Sequence, residues 1–582
     1  MKLFYNNLFY CNSNSNEIHS IEFIPSSNYL LLNNSIKRKY TIDKNSITVQ
    51  NVGKLCKYKY LKYDLLIGKN NDNFVMFSNY SFDEKTVFHI INTLLDNSTC
   101  KNVFQNMKNQ YIIIINKRKS KVLSKPDTRQ SRLGYYKTLW PSEMTDLYRS
   151  HAVFDGGLPK DINSHGLTIS TIKDQACPAF GYTRNKNEVF IIGGSPVALA
   201  GFTDGIVQAT ATCIDASNQN LLPYIIKYNY GTNTYLKTNL LRGKTLNYVG
   251  GLLIHENGYV YAVGRCVLYK INPNTLTVVS YVNLPVVKFN ETTKQDTIYN
   301  GMQVASNGRI VMKGFCFITI DNIVTIQGYF VQIEPRNLTV LVKQFSSQSS
   351  TSRITIFKDN GYEYMYTISG NYLDRYKIAK DSFVLDNNYH QPYRANDSKS
   401  TAGSSPIIYE KLNRLCFSDN TQCGPEEGMK IYNKPISGND DFISKFAFKN
   451  PASGYNFFMI ASDNIKNQFV ICYDPISKQI SCNKILKNGN YLSIWGKQNL
   501  TISACIAVVV NKNHLYIDDY VNGKDNFVIL ELTTGKELAR IETDATLPTI
   551  GGIFPGMNDD VWLISTQTGE TSGYISRIHV KK

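Results

Sequence analysis

Short strands rich in Tyr, Val, Ile and Phe recur with polar turns about every fifty residues between residue 151 and the C-terminus. This repetition predicts an all-β chain: an eight-bladed β-propeller, with seven blades as the alternative, closed by a strand from its own N-terminal side and preceded by a small basic α+β domain. Three observations carry the prediction: the repeat, a terminal unit that lacks one strand, and a basic N-terminal quarter of different character. The expected division is 1–116 for the small domain, 117–150 for a basic linker and 151–582 for the propeller. At 582 residues and 66.0 kDa the chain is long enough for more than one domain.

The N-terminal quarter comes first in the chain. Residues 15–80 read as short strands separated by polar turns, and Ser81-Phe82-Asp83-Glu84 forms a capping box ahead of Val87, Ile90, Ile91, Leu94 and Leu95, which share one helical face. The apolar run Tyr111–Ile115 reads as a buried strand. Residues 1–138 hold 21 Lys/Arg against 9 Asp/Glu, so +12 of the net +17 lies there. The basic positions that stand out are Lys57 and Lys59, alternating with Tyr58 and Tyr60, and then Lys117, Arg118, Lys119, Lys121, Arg129 and Arg132. Period-two alternation puts the two Lys on one strand face and the two Tyr on the other. That pattern suits an ordinary half-buried strand, and it also suits base stacking with phosphate contact. An anionic partner is therefore an expectation for residues 37–137.

The clearest repeat unit runs from His255 to Pro285. Asn257-Gly258 makes a hairpin turn, Tyr259–Val263 and Val267–Ile271 are strands, and Asn272-Pro273-Asn274 turns the chain outward. A strand of this kind begins near Glu188, Tyr259, Arg309, Tyr362, Arg414, Asn456, His514 and Asp560. A later turn marks eight positions independently, near Asn229, Asn272, Glu334, Ala379, Tyr432, Asp474, Leu532 and His579. The last unit ends without its outer strand, and Gly166–Ile172 is placed to supply it, which ties the two ends of the ring together. Small residues open several innermost strands (Gly250-Gly251, Asn300-Gly301, Gly403-Ser404, Gly551-Gly552), where strands converge on an axis. Asp174, Asn247, Asn300 and Arg353 are the candidates to approach that axis.

The units at Tyr259–Pro285 and His514–Ile541 resemble blades of the quinoprotein-like and YVTN-like propeller group. Thr534-Gly535-Lys536-Glu537-Leu538 is similar to the Thr-Gly-Lys turn of quinoprotein blades. In that group a Trp follows the turn and adjacent cysteines sit at the cofactor. Here Ala539 follows, and no two cysteines are adjacent, so pyrroloquinoline quinone is not expected and no cofactor is assigned. WD repeats would carry a Gly-His…Trp-Asp pair, which is missing. Propeller enzymes of the lactonase type hold a metal on the axis through carboxylates and amides. Of the four axial candidates only Asp174 is an acid, and Arg353 would oppose a cation, so no metal is expected.

Other chemistry leaves no signature. The 12 Cys contain no CxxC pair; Cys472–Cys482 and Cys416–Cys423 could face each other across hairpins, but reduced, mostly buried thiols are the expectation. The eight His are isolated, and His255 and His514 stand beside predicted turns, where a surface position is expected. No nucleophile elbow, P-loop, zincin or EF-hand string occurs. No window supplies the roughly 20 apolar residues of a membrane helix. The N-terminus is too polar for a secretory signal, which favours a cytoplasmic location. The favoured reading is a non-enzymatic binding or scaffold propeller that presents loops, with the insertion Ser195–Leu222 foremost, to a protein or polysaccharide. A hydrolase or lyase with a site at the axis is one alternative. A binder of anionic surfaces or nucleic acid through the basic region is the other.

Overall fold

The computed structural model describes eight strands between residues 8 and 78 and most of residues 133–581; the longest stretches outside the described residues there are 208–221, 419–429 and 447–460. The chain divides into two compact units, Met1–Asp127 and Thr128–Lys582.

In the first unit the strands form a closed antiparallel barrel in sequence order. Leu8–Asn12, which the sequence reading did not include, pairs with both Ile18–Ile24 and Asn73–Ser78, and so removes the free edges. Lys57 and Lys59 lie in the strand Gly53–Tyr60, at register opposite Leu66 and Asp64. The expected helix after Ser81, the strand Tyr111–Ile115, and Lys117, Arg118, Lys119, Lys121, Arg129 and Arg132 fall outside the described residues.

The second unit is a propeller of eight blades, each a four-stranded antiparallel sheet at its centre. The innermost strands, in blade order, are Pro178–Thr183, Val249–Ile254, Ile298–Val304, Thr355–Asp359, Ile407–Tyr409, Ala461–Asp463, Ala507–Val509 and Thr549–Pro555. Blade 8 takes its outer strand from the other end of the unit: Leu167–Ala176 pairs antiparallel with Ser572–Val580, in the register Leu167↔Val580 to Ala176↔Ser572. The ring is therefore closed by an N-terminal strand, as the missing strand of the last repeat predicted.

Apolar side chains fill the wedges between neighbouring blades. One cluster joins blades 7, 8, 1 and 2, a second joins blades 2 to 5, and two smaller ones bridge blades 5 to 6 and 6 to 7, so the core runs round the whole ring. The small residues at the inner-strand starts have the predicted packing cause. A Cβ on Gly250 would lie 1.8 Å from the carbonyl oxygen of Tyr299 on the next blade.

Blade 6 departs from the sequence reading by one strand. Asn456, taken to start a second strand, lies outside the described residues; the strand that follows in sequence, Ala461–Asp463, is the innermost, and the turn after Asp474 joins the second strand Phe469–Asp474 to the third, Gln479–Ile485. An Asp/Asn-Pro turn stands between the third and fourth strands in blade 2 but one strand earlier in blade 6. The slip stays inside one blade and leaves the count at eight.

Candidate functional site at the propeller axis

The feature that organises the axis is the segment 133–158. Its hydrogen bonds reach every blade. Trp140 N–H donates to Thr183 Oγ1 on blade 1 (2.8 Å), and Tyr136 N–H to Ile254 O on blade 2 (2.9 Å). Tyr135 O–H donates to Gln303 Oε1 on blade 3 (2.6 Å), Arg149 Nε to Ile354 O at blade 4 (2.6 Å), and Tyr148 O–H to Glu410 Oε2 at blade 5 (2.7 Å). Ser150 O accepts from Ser462 N–H on blade 6 (2.9 Å), and His151 O from Val508 N–H on blade 7 (2.8 Å). Gly157 N–H reaches Gly556 O of blade 8 (2.9 Å). Ala152–Val153 then adds a parallel strand inside blade 7. Residues 140–153 are all buried. The segment is a plug across the channel that a propeller otherwise leaves on its axis.

The plug's backbone is held where it would not rest alone. Met144, Thr145, Arg149 and His151 all have positive φ, from 48° to 86°. Left-handed backbone at non-glycine residues costs about 1 kcal/mol or more each and persists only where the surroundings impose it. Here the eight blades do so.

A charged cluster sits within the plug. Glu143 is ion-paired through one oxygen with Arg353, whose Nε is 2.5 Å away, and accepts through the other from Arg149 Nη1 at 3.4 Å. Burial pushes the Glu143 carboxyl up, but the Arg353 and Arg149 guanidiniums outweigh it and hold it below the usual range. Burial lowers the Arg149 guanidinium, and Glu143 opposes the shift. Lys313, on the second strand of blade 3, is fully buried and donates to Ser350 O and to Ser350 Oγ. Burial, with Arg353 and Arg149 adding to it, drives its amine well below the ordinary lysine range. Burial takes His151 down to about 4, so the ring is neutral.

Beside this cluster is a cavity of about 20 Å³, bounded by Trp140, Glu143, Met144 and His151 of the plug and by blades 1 and 8. That is room for about one water molecule, against the few hundred Å³ of a typical small-molecule site. Among the described residues no group of three or more His, Cys, Asp or Glu could hold a metal ion.

The sequence candidates separate accordingly. Arg353 reaches the axis and is engaged by Glu143. Asn300 is buried on the innermost strand of blade 3, in register with Lys313. Asp174 lies on the outermost strand of blade 8, the opposite edge of that blade from the axis, because its strand serves as the closing strand. Asn247 falls outside the described residues. The sequence reading missed Glu143 and Arg149, which it assigned to the end of a basic linker. The signal was available: residues 133–148 carry Leu133, Tyr135, Tyr136, Leu139, Trp140, Met144, Leu147 and Tyr148, core material unlike the cationic run before them.

Two smaller expectations are corrected. His255 and His514 are buried, not at the surface. His255 Nδ1 accepts from Asn257 N–H (3.1 Å) while Nε2 donates to Gly308 O (2.9 Å), which fixes a neutral ring within a turn. Burial takes His514 down to about 4. Cys472 and Cys482 are both free thiols. Cys472 pairs with Ser481 and Cys482 with Ile471, so the two cysteines are one register step apart and face different core clusters. Cys423 is outside the described residues, and Cys416 is free and buried.

No protein-family model matches the chain, and no curated protein matches it by sequence. Solved propellers do match by structure. The quinohemoprotein alcohol dehydrogenase of Comamonas testosteroni is 9% identical at a TM-score of 0.53, over 79% of this chain and 82% of that one. The quinohemoprotein alcohol dehydrogenase ADHIIG of Pseudomonas putida HK5 is 9% identical at 0.52, over 76% and 80%. BamB of Moraxella catarrhalis is 9% identical at 0.42, over 71% and 99%. At these identities the likeness is one of fold. The chain shares the eight-bladed β-propeller fold.

Proposed function

We propose that this chain is a non-enzymatic binding protein, with a rigid propeller that presents its loops and rim to a protein or polysaccharide partner. The observation that carries the reading is the plug. A propeller that used its axis for chemistry needs room there for a substrate, and residues 133–158 occupy that space. The Glu143 carboxylate is ion-paired with both Arg353 and Arg149, and we read the three as a fastener of the plug. A sealed ring with surface loops suits recognition, because the scaffold holds the loops while their sequences set the partner. The insertion 195–222, between the second and third strands of blade 1, is the first contact candidate.

The test compares the intact chain with a variant in which 195–222 is replaced by a short Gly-Ser turn, each immobilised and probed with a glycan array and with the soluble proteins of its source. A defined ligand that binds the intact chain and is lost with the loop supports the reading. Substrate turnover by the purified chain that is abolished by Arg353→Met would overturn it.

A further inference from the structure

The cations gathered at the axis are positioned by groups other than Glu143. Arg353 lies just ahead of the innermost strand of blade 4, and its backbone N–H donates to Ser405 Oγ, ahead of the innermost strand of blade 5, at 3.2 Å. Gly301 of blade 3, at a φ of 81°, makes room for it: a Cβ there would lie 3.0 Å from Arg353 Cβ. Arg149 Nε donates to the carbonyl of Ile354, the residue after Arg353, at 2.6 Å. Adjacent residues of blade 4 therefore bring the two guanidiniums together. Lys313 is tied separately to Ser350. Like charges brought together away from water repel, and an anion between them relieves the repulsion.

Glu143 supplies that anion, and it comes from the plug, not from a blade. One carboxylate spans both guanidiniums, an oxygen 2.5 Å from Arg353 Nε and the other 3.4 Å from Arg149 Nη1. The plug's second buried acid, Asp146, is turned to its own backbone, where it accepts from Tyr148 N–H at 3.0 Å. There is room beside the Glu143 carboxylate. A Cβ on Gly251 of blade 2 would still stand 3.7 Å from Glu143 Oε2, and Glu143 bounds the cavity of about 20 Å³.

We propose that the ring axis is a carboxylate-binding site, formed by Arg353 and Arg149 against blades 3 and 4, and that Glu143 is the ligand it holds in cis. The free ligand of this site is a small monocarboxylate. The argument is one of preorganisation. Donors fixed by their own partners bind a free group of the same chemistry as the tethered one, more weakly because the tether no longer holds it close. Two guanidiniums facing two oxygens match a planar carboxylate, whereas chloride offers a single atom and an amide no charge. In the intact chain the tethered Glu143 outcompetes any free carboxylate. The inference goes beyond the binding reading and holds whichever partner the loops take.

The test is chemical rescue in the full chain. Glu143→Ala removes a CH₂–COO⁻ group, which is acetate less one hydrogen. Urea unfolding of the variant is compared in sodium acetate, in sodium chloride, and in chloride with acetamide, with the wild-type response to each subtracted. At about 100 mM, acetate is expected to lower the unfolding constant of Glu143→Ala about tenfold relative to chloride, the response of a site with a Kd of about 10 mM. Acetamide is expected to do nothing. Glu143→Gln, whose side chain fills the place, is expected not to distinguish the salts, and Glu143→Ala with Arg353→Met is expected to lose the rescue. If Glu143→Ala is recovered unfolded, the yield of refolding in acetate against chloride makes the same comparison. No gain over chloride beyond that of wild type, or a gain that persists with Arg353→Met, overturns the proposal.

Discussion

Glu143 is the position whose loss most directly tests the plug. Its carboxylate lies between two guanidiniums, its own side chain is 4% exposed, and that of Arg149 is 0% exposed. Glu143→Ala removes the carboxylate paired with the buried Arg149, and breaking a buried pair from one side costs about 3–5 kcal/mol. The unit that unfolds is Thr128–Lys582. At about 2 cal/mol/K of unfolding entropy per residue, such a loss lowers its Tm by about 4 °C. Glu143→Gln keeps the shape but not the charge and is expected to fall between the two. Replacing all three charges (Glu143→Leu, Arg149→Met, Arg353→Met) is expected to restore most of the loss, because the desolvation of the ions disappears with them. Thermal unfolding followed by the fluorescence of Trp140, which packs within the plug, reads all four proteins. A Glu143→Ala variant that melts within about 1 °C of wild type refutes the reasoning, since buried charges would then have found solvent.

The remaining predictions concern pH, closure and charge. His151 and His514 titrate near 4 in the folded chain, below the ordinary value of 6.5. The unfolded chain therefore binds more protons between those values, and stability falls as pH drops from 6.5 towards 4, by up to about 1.4 kcal/mol per pH unit for each ring; His514→Gln is expected to flatten that slope in urea titrations at stepped pH. Removal of residues 1–177 takes away both the plug and the closing strand, leaving Ser572–Val580 as an open edge; that truncation is expected to aggregate, whereas one starting at residue 128 unfolds cooperatively, as size-exclusion chromatography and melting will report. Retention of the full chain on heparin is expected to fall steeply with salt and to weaken in residues 128–582, because +9 of the net +17 precedes them. Retention unchanged by the truncation removes the anionic-partner expectation.

What was legible in the sequence is what local chemistry writes. The turns repeat a side-chain device: Asn257 Oδ1 accepts from Tyr259 N–H at 3.1 Å, Asn272 Oδ1 from Asn274 N–H at 2.8 Å, and Asn307 Oδ1 from Arg309 N–H at 3.0 Å. Each is an Asx turn within three residues, so its composition survives in the linear sequence. The turn after Asp474 misled, because it joins a different pair of strands. Closure was legible because one strand was missing from the last repeat. The plug was not, because its partners are remote: Arg149 meets Ile354, Tyr148 meets Glu410, and Ser150 meets Ser462. No periodicity announces contacts across two or three hundred residues. A basic run just upstream drew residues 133–150 into the linker, although their aromatic content belongs to a core.

The fold also explains why the axial candidates could be named only in part. Inner strands begin near small residues, and that rule pointed to Asn300, on the innermost strand of blade 3, and to Arg353, which pairs with Glu143. The same rule cannot say what enters the channel, and here an element of the chain itself does.

Residues 133–158 fill the axis of the ring, and the binding reading proposed above rests on that seal. Hydrogen–deuterium exchange of the full chain tests this most directly, read on peptides covering 140–153. The account predicts protection there comparable to the inner strands Val249–Ile254 and Thr549–Pro555, with exchange only on global opening. Exchange of 140–153 within seconds, while those strands stay protected, would contradict it and would return the axis to the list of places where chemistry could occur.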